Sequence, residues 1–291
     1  LQLTKLLWRS QMGNVIVSSI TRTPVAQGGG VWGGLGAGVT PTTAFFTDGF
    51  ETGDLSHSEN GAGWGSNVRF NVTGNSPKSG SYNGEFNYEA NAEEADGFSE
   101  LRYSLGGNYT EIWVGYDLYI PDNYYHRDQS DSANNKGFLF AWSGDYGAPS
   151  GPGMGPNFWP LPDGSSSSTH FVWGIDFINQ WGEPRTQIHL TEGVNTSAIN
   201  LSDRGKWIKI ICHYKYASSA NNDGVAEIWK QYPDGTLEKH MDIQNGAWYV
   251  SGQPGFDQGY ILGWANSGFT DATTFKIDNV EFSETNIWGV V

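Results

Sequence analysis

The sequence predicts an all-β fold, a sandwich of antiparallel sheets, and three observations lead to this prediction. From residue 45 onward, apolar and polar side chains alternate with the period of two that is typical of half-buried strands. Glycine accounts for 40 of the 291 residues, about twice its usual share of ~7%, and it favours tight turns. No segment shows the apolar stripe of an amphipathic helix.

The first 44 residues are predicted to form an extended arm. They contain a β-like run at 14–20 and then the low-complexity segment GGGVWGGLGAG, which has too few apolar side chains to bury a core. A slender glycine-rich segment can lie along another surface, so we expect this arm to serve assembly or anchoring. A linker that lies against its own domain is the alternative. Residues 45–291 then form one domain.

The predicted strands follow one another along this domain. In EIWVGYDLYI (111–120) the even-numbered residues are apolar and share one face, which predicts a strand with that face in the core. The same alternation predicts strands at 99–105, 136–142, 171–177, 186–190, 207–216, 225–232, 259–265 and 274–282. A hairpin turn is expected at Pro233-Asp234-Gly235, and a long polar loop at 143–170, which is rich in Gly, Pro and Ser.

Charge and motif content exclude several classes of function. Lys and Arg number 16 and Asp and Glu 31, so the net charge is −15, which argues against binding to nucleic acid. The single cysteine, Cys212, lies in an apolar stretch and is expected to be buried. No run of ~20 apolar residues predicts a membrane span. The sequence contains no GxSxG elbow, P-loop, HExxH motif or Cys/His metal spacing.

Three segments carry a family resemblance: FTDGFETGDLS at 46–56, GKWIKIICHYKYASSANNDGVAEIW at 205–229 and GYILGWANSGFTDATTFKIDNVEFS at 259–283. They resemble the concanavalin A-like lectin/glucanase jelly roll, especially its polysaccharide-lyase-like branch, over about residues 46–284. The resemblance implies two antiparallel sheets packed face to face, one of them carrying a groove for an extended glycan.

The resemblance also implies a structural calcium site. In this fold the first and last strands lie side by side, which brings the acidic start and end of the domain together. The expected ligands are Glu51 and Asp278, with Asp48 as a third, because Ca²⁺ prefers carboxylate and carbonyl oxygens. Solvated or turn-capping carboxylates are the alternative.

Two short motifs point to chemistry. Ser99-Glu100-Leu101-Arg102 and the QIH segment at 187–189 resemble motifs of alginate-lyase-type jelly rolls. The resemblance implies that Arg102 and Gln187 neutralise a uronate carboxylate, that His189 takes the C5 proton and that a tyrosine protonates the leaving oxygen. Strand alternation places Gln187 and His189 on the same face of one strand, and Glu100 and Arg102 on the same face of another. Both pairs are therefore expected to line one groove.

The proton donor is less defined, because the family's Tyr-Phe-Lys-Ala-Gly segment corresponds here to YILGW at 260–264, which keeps Tyr260 but lacks the lysine. In a second lyase branch a lysine and an arginine stand where this sequence has Lys136 and His170, so the resemblance implies that these two residues bind the carbohydrate. Trp159, Trp181 and Trp264 are expected to stack on sugar rings, and the alternative for each tryptophan is a core position.

These observations favour a glycan-binding jelly-roll protein on a virion surface or in an extracellular structure, where the arm contacts other protein subunits. The competing hypothesis is a lyase that cleaves uronate polymers by β-elimination, so enzymatic activity stays open. A structural jelly roll without a ligand is the third. The net negative charge disfavours polyuronates unless Arg102, Lys136 and Arg185 are concentrated locally.

Overall fold

The structure, a computed structural model, describes residues 43–91, 95, 97–127, 135–136, 139–145, 148–149, 153–160, 169–176, 186–188, 197–218, 223–246, 255–265 and 268–291. Nearly all of the predicted arm lies outside these ranges, as do His189 and Trp181. No helix in the described residues is long and apolar enough to cross a membrane.

The described residues form strands and one short 3-10 turn at Leu201–Asp203. The strands are β1 Phe46–Asp48, β2 Ser58–Glu59, β3 Ala62–Val68, β4 Phe70–Thr73, β5 Asn83–Tyr88, β6 Gly97–Tyr109, β7 Glu111–Ile120, β8 Asn135–Lys136, β9 Leu139–Trp142, β10 Gly144–Asp145, β11 Ala148–Pro149, β12 Gly153–Pro160, β13 Thr169–Asp176, β14 Thr186–Ile188, β15 Ser197–Ile199, β16 Lys206–Lys215, β17 Gly224–Gln231, β18 Leu237–Gly246, β19 Phe256–Ala265 and β20 Thr273–Ser283.

The strands form two large antiparallel sheets. Sheet 1 has the order β18-β17-β16-β7-β20-β5-β4, and β1 pairs with β20. Sheet 2 has the order β14-β13-β12-β8-β19-β6-β3-β2, with β15 on β13 and β9 between β12 and β19. The first strand lies beside the last, with Phe46 opposite Phe282, as the family resemblance implied.

One hydrophobic core lies between the two sheets. Tyr103 of sheet 2 packs on Phe282 of sheet 1 with ring centroids 4.9 Å apart. The Tyr214 hydroxyl of β16 donates a hydrogen bond of 3.0 Å to the Leu139 carbonyl of β9. Residues of both sheets belong to the same buried cluster. The predicted all-β sandwich is therefore confirmed, and so is the buried position of Cys212, where burial raises the thiol pKa to about 12.

The predicted face of β7 lies in the core, but its opposite face is covered as well. Trp288 packs directly on Gly115, where an added Cβ would lie 2.5 Å from the ring atom Cζ2. Trp288 also contacts a second buried cluster, formed by Trp113, Ile211, Trp229 and Val290. The segment that follows β20 therefore covers the side of sheet 1 that faces away from the core.

The predicted loop at 143–170 is wrong in part, because β10, β11 and β12 fall within it. In β12 all residues from Gly153 to Pro156 are buried, and so is Phe158, so burial of this strand outweighs the turn preference of its Gly and Pro residues. The predicted hairpin is confirmed, since Gln231 of β17 is opposite Leu237 of β18.

Candidate functional site

The strand register brings two of the predicted catalytic residues together. Tyr260 of β19 lies directly opposite Arg102 of β6. Residues directly opposite each other on antiparallel strands share a face. The neighbouring pair, Ile261 and Leu101, is buried in the core. Arg102 and Tyr260 therefore lie on the side of sheet 2 that points away from the core, which we call the outer face.

The register extends this outer face to other predicted residues. Met154 of β12 pairs with Ala141 and lies in the core, so the odd-numbered positions of β12 lie on the outer face. On β13, the residues that pair with these positions are every second residue from His170 to Gly174, and Gly174 pairs with Gln187 of β14. Four predicted site residues thus occupy outer-face strand positions: Lys136, Trp159, His170 and Gln187.

The predicted catalytic set is nevertheless spread across the sheet. Arg102 lies on β6 and Gln187 on β14, and β19, β9, β12 and β13 lie between these two strands. Five strand spacings of ~4.8 Å correspond to about 24 Å on a flat sheet. One uronate ring does not span that distance, so the register supports Arg102 with Tyr260 as one pair and places Gln187 elsewhere on the same face.

Arg102 is held by a buried carboxylate and an aromatic ring. Its Nε donates a 2.6 Å hydrogen bond to Oε1 of Glu100, whose side chain is 5% exposed, whereas that of Arg102 is 33% exposed. The guanidinium carbon lies 5.9 Å from the centroid of the Trp142 ring, within the range of a cation–π interaction. These contacts orient the guanidinium, and they also compensate part of its charge.

Tyr260 lies in an aromatic floor that the sequence analysis did not identify. Its ring stacks on Phe140 at 5.3 Å between centroids and lies 5.5 Å from Trp142. Together these three residues form a cluster of their own, separate from the main core. Alternation within KGFLFAW places residues 140 and 142 on one face, but only the strand pairing shows that this face is the one that carries Arg102.

Glycine at position 263 permits this arrangement. Gly263 has φ +119, and a Cβ there would lie 3.2 Å from Cε2 of Tyr260 and 3.4 Å from Oε2 of Glu100. Leu262 beside it also lies in the left-handed region, with φ 56. A larger residue at position 263 would be strained and would crowd both side chains.

The outer face changes in character along β6 and β19. At one end, Trp264 is 39% exposed and its ring lies 4.7 Å from that of its partner Phe98. At the other end, beyond Arg102, Ser104 pairs with Gln258. There, a depression of about 360 Å³ is lined by Ser104, Gly106, Gly107, Asn108, Asp257 and Gln258. An aromatic platform, a cation–phenol pair and a polar depression therefore follow one another along two adjacent strands.

The predicted calcium ligands lie near β1 and β20, but their oxygens accept hydrogen bonds from N–H groups. Asp48 accepts from the Phe50 amide and the Trp64 indole, Asp278 from the amides of residues 78, 79 and 279, and Glu51 from those of residues 81 and 82. The described residues contain no group of three or more His, Cys, Asp or Glu side chains placed to hold a metal ion. These donors satisfy the carboxylates without an ion, and calcium binding stays a prediction.

No family model and no curated protein sequence matches this chain. Several solved structures are similar to it in fold. The chain is similar to the alginate lyase vAL-1 from Chlorella virus, with a TM-score of 0.55 and 11% identity over 83% of this chain and 100% of that one. A variant of the alginate lyase Aly36B in complex with an alginate trisaccharide gives a TM-score of 0.51 and 14% identity over 85% and 100% of the two chains.

A marine PL-14 alginate lyase from Aplysia kurodai gives a TM-score of 0.50 and 11% identity over 84% of this chain and 100% of that one. At such identities the likeness establishes the fold, and function has to be argued from the site. The chain has the jelly-roll β-sandwich fold of these alginate lyases.

Proposed function

We propose that the protein is a polysaccharide lyase that cleaves uronate-containing chains by β-elimination on the outer face of sheet 2. The observation that carries this proposal is the register pair of Arg102 and Tyr260, a partly exposed cation beside a buried phenol on the outer face of sheet 2, in a fold shared with alginate lyases. This is the competing hypothesis of the sequence analysis, and the geometry favours it over the glycan-binding role.

β-Elimination requires three things of such a site. The uronate carboxylate must be neutralised so that the neighbouring C5 proton becomes acidic, a base must take that proton, and an acid must protonate the leaving oxygen. We assign neutralisation to Arg102, which is partly exposed and oriented by Glu100. Tyr260 lies beside it and is assigned the role of acid. The family resemblance implies that His189 is the base, and His189 lies outside the described residues.

The aromatic floor supports this chemistry by its low polarity. Phe140, Trp142 and Tyr260 are buried and pack on one another beside Arg102. Because these rings exclude water, the charge of the Arg102 guanidinium acts there in a medium of lower dielectric constant than bulk water, which strengthens its attraction for a carboxylate.

The test is a panel of uronate polymers, with product formation followed by the ultraviolet absorbance of the unsaturated sugar. Tyr260→Phe keeps the stacked ring and removes only the hydroxyl, so we expect kcat to fall by roughly 10²–10⁴. The matched control is Tyr82→Phe, at an exposed tyrosine on another part of the domain, which should retain full activity. Wild-type protein that cleaves no uronate polymer, or Tyr260→Phe protein that cleaves as fast as wild type, would contradict the proposal.

Glycan binding without cleavage is the second candidate, and the exposed Trp264 beside Phe98 favours it. In this case the protein would act on a virion surface or in an extracellular structure, and the arm at 1–44 would contact other subunits. Affinity electrophoresis on the same polymers tests binding. Retention that Trp264→Ala abolishes, without any product, supports this candidate. Deletion of residues 1–44 tests the arm, and unchanged assembly would argue against its anchoring role.

A further inference from the structure

We propose that the polar depression beside the Arg102–Tyr260 pair is a subsite for an uncharged sugar unit. The preferred substrate is then a polymer in which a uronate is followed by a neutral sugar, in place of a chain made only of uronates. This inference rests on the proposed lyase function and deepens it by naming the substrate class.

The position of the depression is set by strand pairing. Gln258 pairs with Ser104, and both are two residues along their strands from the pair formed by Tyr260 and Arg102. Two residues of a strand span about 6.7 Å, so the depression lies next to the uronate position on the same face. Its volume of about 360 Å³ falls in the range of ~300–1,000 Å³ that is typical of small-molecule sites.

The lining chemistry fits hydroxyl groups and disfavours a carboxylate. Among the described residues, Ser104, Asn108 and Gln258 supply a hydroxyl and two amides, Asp257 supplies a carboxylate, and no lining residue carries a positive charge. Sugar hydroxyls can donate to Asp257 and accept from the amides. A second uronate in this place would put its carboxylate near that of Asp257 without a cation to compensate either charge, and like charges repel.

Asp257 is held in position by the backbone. The Gly144 amide donates to both carboxylate oxygens of Asp257, at 3.1 and 3.2 Å. The Gly144 carbonyl in turn accepts from Nε1 of Trp142 at 2.9 Å and from the side-chain amide of Gln258 at 2.5 Å. Gly144 thus links the depression to the aromatic floor, so the carboxylate is preorganised and each of its oxygens retains lone-pair capacity for a hydroxyl donor.

The close approach of β6 to the turn between β2 and β3 shapes the depression. Gly106 has φ +72, and a Cβ at this position would lie 2.4 Å from the backbone carbon of Gly61. With Gly107 it forms a wall that projects no side chain into the space. The room for a sugar ring therefore depends on glycine at a position where other residues would be strained.

The test compares initial rates on a polymer that alternates glucuronate with a neutral sugar and on a polyglucuronate of equal length. We expect the wild-type protein to prefer the alternating polymer by at least about tenfold. Asp257→Asn removes the negative charge and keeps the side-chain shape, so it should raise the rate on polyglucuronate and narrow this preference. The matched control is Asp242→Asn, an exposed aspartate on sheet 1, which should leave the preference unchanged.

Calorimetric titration with two short oligosaccharides separates this inference from the proposed function. One is a tetrasaccharide that alternates glucuronate with a neutral sugar, and the other contains only glucuronate. If neither polymer is cleaved, but the alternating tetrasaccharide binds more tightly and Asp257→Asn removes the difference, the lyase proposal fails and the subsite stands. If the all-glucuronate tetrasaccharide binds at least as tightly, or if Asp257→Asn changes neither ratio, the subsite inference is overturned, whether or not the protein is a lyase.

Discussion

A buried ion pair near one end of the sandwich gives a prediction whose size follows from its burial. Nζ of Lys230 on β17 lies 2.5 Å from Oδ2 of Asp203, and the two side chains are 0% and 1% exposed. The same carboxylate oxygen accepts the Asn200 amide at 2.6 Å. Burial lowers the pKa of Lys230, and the negative charge of Asp203 opposes that shift.

Lys230→Met removes one charge and leaves the other in the interior. Breaking a fully buried pair in this way costs about 3–5 kcal/mol. For a domain of this size, ~1 kcal/mol corresponds to about 2–4 °C, so the melting temperature should fall by roughly 6–20 °C. Asp203→Asn keeps an acceptor for the Asn200 amide but leaves the ammonium without its partner, and a loss of similar size is expected.

The assay is a double-mutant cycle followed by urea unfolding. The variant carrying both substitutions removes both charges, so its loss should be smaller than the sum of the single losses by about 1–3 kcal/mol. Lys78→Met, at an exposed lysine, is the matched control and should change stability by no more than about 0.5 kcal/mol. Single losses below about 1 kcal/mol, or strictly additive losses, would refute the reasoning, because a buried pair of charges cannot be independent.

Three further predictions concern pH, packing and calcium. His213 contacts Glu227 at 2.6 Å and Glu111 at 2.8 Å; burial lowers its pKa, but the two carboxylates raise it more, to a net value above the ordinary one. Its contribution to stability is therefore complete below the unfolded pKa of ~6.5 and disappears as pH rises through the folded pKa. Urea unfolding midpoints should therefore fall over this pH window in the wild type and not in His213→Gln. The same pH dependence of the midpoint in both proteins would contradict this. Gly115→Val drives atoms into the Trp288 ring, so we expect a loss of about 1–3 kcal/mol and a red shift in tryptophan fluorescence as the segment after β20 is displaced; an unchanged spectrum would argue against that packing. Since N–H donors already satisfy the predicted calcium ligands, chelation should leave the melting temperature unchanged, whereas a drop together with calcium in elemental analysis would establish the ion.

Much of the fold could be predicted from local pattern, and the failures have local causes. Alternation identified β7, β16 and β17 because each places every second apolar residue in the core between the sheets. The same criterion missed β12, where turn-forming Gly and Pro residues stand beside the buried Met154 and Phe158. Alternation correctly placed one face of β7 in the core, but it gave no sign that Trp288 covers the other face at Gly115.

The candidate site divides in the same way. Arg102 and Tyr260 were predicted separately, each from a short motif, and their placement opposite each other depends on the pairing of β6 with β19. The motif containing Gln187 was predicted to share their groove, yet its strand lies at the far end of sheet 2. Neither the aromatic partners of Tyr260 nor the position of Asp257 beside the depression could be found from spacing along the chain.

By itself the sequence determined long core strands such as β7 and β16, the hairpin after β17, the buried cysteine and the net negative charge, because side-chain alternation, turn preference and charge are properties of neighbouring residues. Only the tertiary structure decided which strands are neighbours, and therefore which polar side chains share the outer face of sheet 2. The physical reason is that hydrogen bonds between strands join residues far apart in sequence. A period of two assigns each residue to one of two faces, but it carries no information about which strand lies alongside.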